Sequence, residues 1–298
     1  MSTLLAVVAC VYVTVCILHW GTAYLVLIYE QINNPRGYSS GVADRRRRLA
    51  GALGELLLIL CSFFMLPGYF PRRLVIGTRR HPPKPVLLVH GYSRNPLDFL
   101  LMMWRLYRDG YGPVAALRLS PVTGTIERFA WLTARELGRL DRPEYPPWTV
   151  ICHSMGGVVT RLAMREFSMG KRIRLLVTLG SPHFGSKLAA FGLGKGIAQL
   201  RDGGGLLERL NQTPWELSQV SVLSIRSDND ELVLPSRSSE LPPPAQNAAL
   251  SSPGHLSLMW SGEAYRLIRA AEQQAREQSN ARIIQPAVAA SSSRAAAC

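Results

Sequence analysis

Two long apolar runs open the chain, and short alternating ones follow. Residues 4–29, "LLAVVACVYVTVCILHWGTAYLVLIY", contain no Asp, Glu, Lys or Arg. As an α-helix rising 1.5 Å per residue, this run reaches roughly 39 Å, enough to cross a hydrocarbon core with some tilt. A secretory signal is the competing reading. Against it stand the lack of a basic leading segment, the length of the run, and the absence of a clear small-residue cleavage site. Residues 49–70, "LAGALGELLLILCSFFMLPGYF", form a second run that carries Glu55 and ends with Pro67 and Gly68. It predicts a second span, since one carboxyl near a helix end is tolerated. A re-entrant or interfacial helix, or a helix packed on the soluble domain, is the alternative. Residues 1–71 are thus expected to form an N-terminal transmembrane hairpin.

From Val86 the pattern changes. "VLLVHG" reads as a buried strand, "PLDFLLMMWRLYRDG" as a helix, "PVAALRLS" as a strand and "TIERFAWLTARELGRLDR" as a helix. "WTVICHS" is a strand and "MGGVVTRLAMREFSMG" a helix; "RIRLLVTLGSP" and "VSVLSIRSDND" are further strands, and "HLSLMWSGEAYRLIRAAEQQ" is a closing helix. Strands alternating with helices predict βαβ units, hence an α/β fold with a mostly parallel sheet covered on both faces. The domain is placed at 72–275. Residues 187–215, with "GLGKG" and "RDGGG", break the alternation and read as a lid-like insertion over one end of the sheet. The tail 276–298 has the composition of a disordered segment.

The net charge of +14 points to an acidic partner, nucleic acid or anionic lipid. No zinc-finger, helix-turn-helix or aromatic RNA-binding pattern accompanies it. With membrane spans expected, attraction to anionic headgroups is the favoured consequence, and no nucleic-acid partner is expected. Arg45 to Arg48 abut the second apolar run, which by the positive-inside rule favours a bacterial inner-membrane protein with its domain on the periplasmic side. Arg72, Arg73, Arg79, Arg80 and Lys84 crowd the far end of the same run, so sidedness stays open. The five cysteines, Cys10, Cys16, Cys61, Cys152 and Cys298, are odd in number and lack metal-ligand spacing. Neither a disulfide framework nor a metal site is expected.

The chemistry concentrates in "ICHSMGG", residues 151–157. Ser154 could simply cap the helix that starts at Met155, a common use of serine. Capping does not account for the small residues two positions away on each side, Cys152 and Gly156. A sharp strand-to-helix turn that exposes a nucleophilic Oγ needs such small neighbours, and the pattern is G-x-S-x-G with cysteine in the first glycine position. In that arrangement the acid follows the serine and the histidine comes last. His255, in "SSPGHLSLMW", lies after the acidic candidates Asp228, Asp230 and Glu231 of "SIRSDNDELVLP". Asp230 is favoured for the "ELVLP" that follows it, with Asp228 second. Two amides must meet the developing oxyanion. Met155 would supply one and Tyr92, in "HGYSRNP", the other. His90, His153 and His183 are read as structural.

Together "VHGYSRNP", "CHSMGG", "LGSPHFGS", "SDNDELV" and "GHLSLMWS" resemble the oxyanion loop, elbow, site-shaping segment, acid turn and histidine loop of small α/β-hydrolases of the triacylglycerol lipase and esterase type. The resemblance covers roughly residues 86–273. Ser181 stands where threonine is more usual. What the resemblance implies is a cofactor-free hydrolysis of carboxylic esters, with Ser154 as nucleophile, His255 as base and Asp230 holding the imidazolium. A membrane anchor makes lipid esters the natural substrates. An acyltransferase using the same acyl-enzyme, and a non-catalytic binding or assembly protein on a hydrolase fold, are the alternatives.

Overall fold

A computed structural model of the chain describes residues 2–38, 45–62, 64, 67, 70–201, 205–212, 215–218 and 220–295. Its first element is α1 (Ser2–Asn33), and α2 (Arg45–Cys61) follows. The remaining elements are β1 (Arg73–Ile76), β2 (Val86–Val89), α3 (Leu100–Arg108), β3 (Val114–Leu117), α4 (Ile126–Leu140), β4 (Trp148–His153), α5 (Met155–Glu166), β5 (Ile173–Leu179), α6 (Lys195–Ala198), α7 (Gly205–Gln212), β6 (Ser221–Ser227), β7 (Gln246–Leu250) and α8 (Gly262–Ala295).

The strands form one sheet, in the order β1-β3-β2-β4-β5-β6-β7. Only β1 runs antiparallel, pairing Arg73 with Leu117 and Ile76 with Val114. Every residue of β2, β3, β4 and β5 is buried, as expected of parallel strands covered on both faces. Side-chain alternation divides the core in two. Leu87, Ala115, Val150, Cys152 and Leu176 face α4 and α5, whereas Leu88, Ala116, Ile151, Leu175 and Val177 face α3 and α8. Sequence patterning anticipates β2 to β6 but neither edge strand. β7 reads "QNAAL", and its first residues are exposed or half-buried, so no apolar run betrays it.

Of the expected N-terminal hairpin, α1 and α2 are both present and pack on each other through Trp20, Tyr24, Leu27 and Ala52. α1 is long and apolar enough to cross a membrane, with a mean hydropathy of 2.2 over its most apolar window. Among the described residues it is the one helix that meets those criteria. α2 covers only part of the predicted span 49–70, and positions 63, 65, 66, 68 and 69 of that span lie outside the described residues. Glu55 within it is fully buried, and Leu58 and Ile59 pack on the α3/α8 side of the core. α2 is therefore a helix docked on the α/β domain. The physical reason is its carboxylate, which finds hydrogen-bond donors in the protein that a hydrocarbon core lacks.

The second half of α1 joins the same assembly. Tyr24 and Leu27 pack with Ala52 of α2 and Leu234 of the domain in a third apolar cluster. Trp20 Nε1 donates to Ala52 O at 2.8 Å, and Lys187 Nζ meets the Glu30 carboxylate at 2.8 Å. The first half of α1 leaves Leu4, Leu5, Val8, Val11 and Val15 more than half exposed. At the other end of the chain α8 continues to Ala295, across the tail that composition assigns to disorder. Its Ala, Gln, Glu and Arg residues are good helix formers.

Candidate active site

Ser154 sits between β4 and α5 with φ 55° and ψ −132°. A non-glycine residue held there stores roughly 1–3 kcal/mol of backbone strain, which the surrounding structure must hold in place. Its backbone N–H donates to Leu179 O of β5 at 2.9 Å, fixing the turn to the neighbouring strand. Among the described residues the Ser154 side chain makes no capping hydrogen bond, so the helix-cap reading of this serine does not hold. Small residues surround the turn. A Cβ on Gly156 would meet Val89 O at 2.4 Å, and one on Gly91 would lie 2.6 Å from Ser154 Cβ and 3.0 Å from its Oγ. The loop after β2, which carries Tyr92, thus lies directly against the serine. Cys152, at the first glycine position of the motif, is fully buried beside Thr160 Oγ1, and burial pushes its thiol up to about 12. It acts as a small core residue.

His255 Nδ1 lies 3.0 Å and 2.9 Å from the two carboxylate oxygens of Asp230. Asp230 Oδ1 also accepts the Leu232 and Val233 amides, each at 2.9 Å, which fixes the carboxylate in the turn after β6. Gly180, at φ 52°, leaves room for the pair: a Cβ there would come within 2.7 Å of Asp230 Oδ2. Burial opposes a charge on His255, but the Asp230 carboxylate and its hydrogen bond outweigh burial and raise the imidazole above its ordinary value. Asp228 is engaged elsewhere. Its carboxylate pairs with Arg226 and accepts from Ser236 Oγ at 3.0 Å.

The other histidines are held by the framework. His90 Nε2 accepts the Leu119 N–H at 3.0 Å, so its Nδ1–H faces Gly91 O at 2.8 Å; burial pushes it down to about 4. His183 Nε2 bonds Thr178 Oγ1, which donates onward to Ser224 Oγ. His153, read from the sequence as structural, lies beside the site. Its ring centroid is 4.6 Å from that of His255, and its Nε2 donates to His255 O at 2.9 Å. Burial keeps it well below the ordinary histidine range, hence neutral.

Ser154 and His255 open into one cavity of about 630 Å³. Segment 187–215 contributes Leu188, Phe191, Ile197 and Leu200 to its wall, and Tyr92 Oη ties to Leu193 O across it. α1 contributes His19, Thr22, Ala23 and Val26. Their spacing of i, i+3, i+4 and i+7 defines one face of a helix. Glu55 of α2 and Glu231 also reach the cavity. Sequence reasoning weighed Glu231 only as a candidate acid and missed Glu55 as a site residue. The available signal was Glu55 itself, a lone carboxyl in an apolar helix. Among the described residues, no three His, Cys, Asp or Glu side chains converge in a way that could hold a metal ion.

A family model described as PGAP1-like alpha/beta domain matches residues 141–262, the stretch that holds Ser154, Asp230 and His255. No curated protein matches the sequence. Among solved structures, the chain is similar to the mature form of Bacillus licheniformis lipase BlEst2, at 16% identity and a TM-score of 0.60, over 67% of this chain and 97% of that one. It is similar to a Nitrososphaera gargenis structure from a study of carboxylesterases, at 13% identity and a TM-score of 0.51, over 69% of this chain and 95% of that one. It also resembles Aspergillus fumigatus lipase B, at 18% identity and a TM-score of 0.54, over 60% of this chain but only 48% of the fungal one. A parallel sheet in this strand order, a strained serine after its fourth strand and these structural likenesses make the chain an α/β-hydrolase in fold.

Proposed function

We propose that the protein is a membrane-anchored serine hydrolase that cleaves carboxylic esters of lipids. Asp230 accepts the Nδ1–H of His255, which leaves Nε2 as the basic nitrogen. That nitrogen takes the proton of Ser154 as Oγ attacks the ester carbonyl. The tetrahedral oxyanion rests on the backbone amides of Tyr92 and Met155. Collapse expels the alcohol, protonated by His255, and leaves an acyl-enzyme at Ser154. Water, deprotonated by the same imidazole, then releases the acid. The raised affinity of His255 for its proton suits the imidazolium formed in both halves of the reaction.

The observation that carries the lipid assignment is the cavity, whose lining is largely apolar and one of whose walls is α1 itself. A chain anchored by the first half of that helix would hold the cavity beside the bilayer that supplies its substrate. The structural relatives bear lipase and carboxylesterase names, which supports the ester chemistry. The test uses detergent-solubilised full-length protein, p-nitrophenyl esters of short and long acyl chains, and a fluorophosphonate probe. Hydrolysis and labelling by the wild type, both abolished in folded Ser154→Ala and hydrolysis lost in folded His255→Ala, is the expected result. Equal hydrolysis by all three proteins would sink the reading.

A further inference from the structure

The buried carboxyl of α2 has no place in the chemistry just described, yet it touches the segment that carries the histidine. Glu55 Oε1 accepts the Leu256 amide at 2.6 Å, and its Oε2 accepts the Ser257 amide at 2.8 Å. The preceding amide, of His255 itself, donates to Glu231 Oε2 at 3.0 Å. Three successive backbone N–H groups, beginning at the histidine, are thus held by two carboxylates from distant parts of the chain.

The sequence is shaped to allow this contact on both sides. Gly254 precedes the histidine, and a Cβ there would lie 2.7 Å from Glu55 Oε2 and 2.8 Å from its Cδ. Gly51, one helical turn before Glu55, passes so close to the same loop that a Cβ would fall 1.7 Å from Ser252 O. Asn229 Nδ2 spans the junction, donating to Ser252 O at 2.8 Å and to Arg48 O at 3.2 Å. Burial of a carboxylate is unfavourable unless it is fully hydrogen-bonded, and burial does raise the proton affinity of Glu55 while the two amides and His255 oppose that rise. A helix that only filled space against the domain would be served better by leucine.

We propose that Glu55 is a positioning residue for His255, clamping the backbone on the C-terminal side of the histidine so that the imidazole stays in register with Asp230. The N-terminal helices are then part of the catalytic apparatus as well as an anchor. The inference rests on the serine-hydrolase reading above. In Glu55→Gln one acceptor survives, but the amide NH₂ must face a backbone N–H, so the loop loses one tie without losing volume. In Glu55→Asp the carboxylate survives but is one methylene short.

The experiment measures kcat, KM, fluorophosphonate labelling rate and thermal unfolding for full-length wild type, Glu55→Gln, Glu55→Asp, Ser154→Ala and Leu57→Ala. Leu57 is on the exposed side of α2 and serves as the control. The expected result is a Glu55→Gln protein that is folded at the assay temperature, with KM within about twofold of wild type. Its kcat and labelling rate should fall by about 10- to 100-fold, the scale of a misplacement of about 1 Å. Glu55→Asp should lie between it and wild type, and Leu57→Ala should match wild type. Folded Glu55→Gln with wild-type kcat and labelling rate would overturn the proposal, as would losses that only track the unfolded fraction. An inert wild type, or an active Ser154→Ala, would instead remove the serine-hydrolase reading and this proposal with it.

Discussion

His255 and Asp230 meet through Nδ1 and a carboxylate whose two oxygens are 2.9 Å and 3.0 Å away, while Asp228, two residues earlier, is turned to Arg226 and Ser236. Both aspartates are buried, so both substitutions should be felt, but in different observables. In the proposed mechanism, Asp230→Asn keeps the shape and removes the charge that orients and stabilises the imidazolium. Its kcat should fall by roughly a thousand- to ten-thousand-fold, as in other triads that lose this carboxylate. Asp228→Asn removes one of the two carboxylates that pair with Arg226, leaving Glu240 at 2.8 Å, and should lower the unfolding temperature, with kcat of the folded protein within a few-fold of wild type. Steady-state kinetics beside thermal melts separate the two. Equal kcat losses would contradict the assignment of Asp230.

The same contact fixes the sign of the pH dependence. Burial lowers the proton affinity of His255, Asp230 and Glu55 raise it, and Arg94 lowers it, with a net rise above the ordinary value. His153 stands beside it uncharged. A general base works only when unprotonated. The labelling rate of wild type should therefore fall, as pH drops, through a midpoint above 6.5. In Asp230→Asn burial acts with the largest opposing influence gone, so the midpoint should move to lower pH. In stability the sense is reversed. What His255 contributes to folding is fully present below about 6.5, the ordinary histidine value, and is lost as pH rises through its folded value. A labelling profile with the same midpoint in both proteins would refute this account.

These arrangements were legible in the sequence to unequal degrees. Ser154 and His255 stand in short local patterns, because an elbow and a βα loop are built from neighbours in the chain. The choice of Asp230 over Asp228 had only a weak local cue. It depends on which side chain the β6 turn directs toward a loop 25 residues away. Glu55 was visible as an oddity and read as a tolerated charge in a membrane span, since its partners, the amides of Leu256 and Ser257, are about two hundred residues distant. The edge strand β7 has no apolar period to find. In each miss the information lies in long-range contact, and composition registers only its local consequence, an unexplained carboxyl or a short polar segment.

Glu272 of α8 ties the closing helix to the sheet. Its carboxylate pairs with Arg174 of β5 at 2.5 Å, and it accepts from Tyr111 Oη at 3.0 Å and from Arg276 Nε at 2.7 Å. Arg174 and Glu272 are both almost wholly buried. Removing one partner strands the other's charge, which costs about 3–5 kcal/mol. Glu272→Ala should lower the unfolding temperature by roughly 10 °C for a domain of this size. Burial alone would raise the Glu272 carboxyl, but its arginines and the Tyr111 hydroxyl hold it below the ordinary value. The stabilisation is therefore present above the ordinary glutamate range and lost as pH falls through the folded value. Melting curves at neutral and acid pH check both statements; the gap between variant and wild type should narrow as pH falls below the ordinary glutamate range.

The α1 wall of the cavity makes a prediction about chain length. Ala23 is buried, and it lines the cavity at the centre of the stripe that also holds His19, Thr22 and Val26. Ala23→Phe adds a ring on that face and leaves Ser154, Asp230 and His255 themselves unchanged. If acyl chains lie along α1, the ring takes the volume they need, while a short acyl group still reaches the serine. The kcat/KM for long-chain p-nitrophenyl esters should fall at least tenfold relative to acetate, a difference of about 1.4 kcal/mol, in the range that one or two lost methylene contacts supply. The fluorophosphonate labelling rate should stay near wild type, which separates a filled cavity from a disturbed site. An equal drop for short and long esters, or no drop for either, would mean that the chain lies elsewhere and that α1 closes the cavity without contributing to substrate choice.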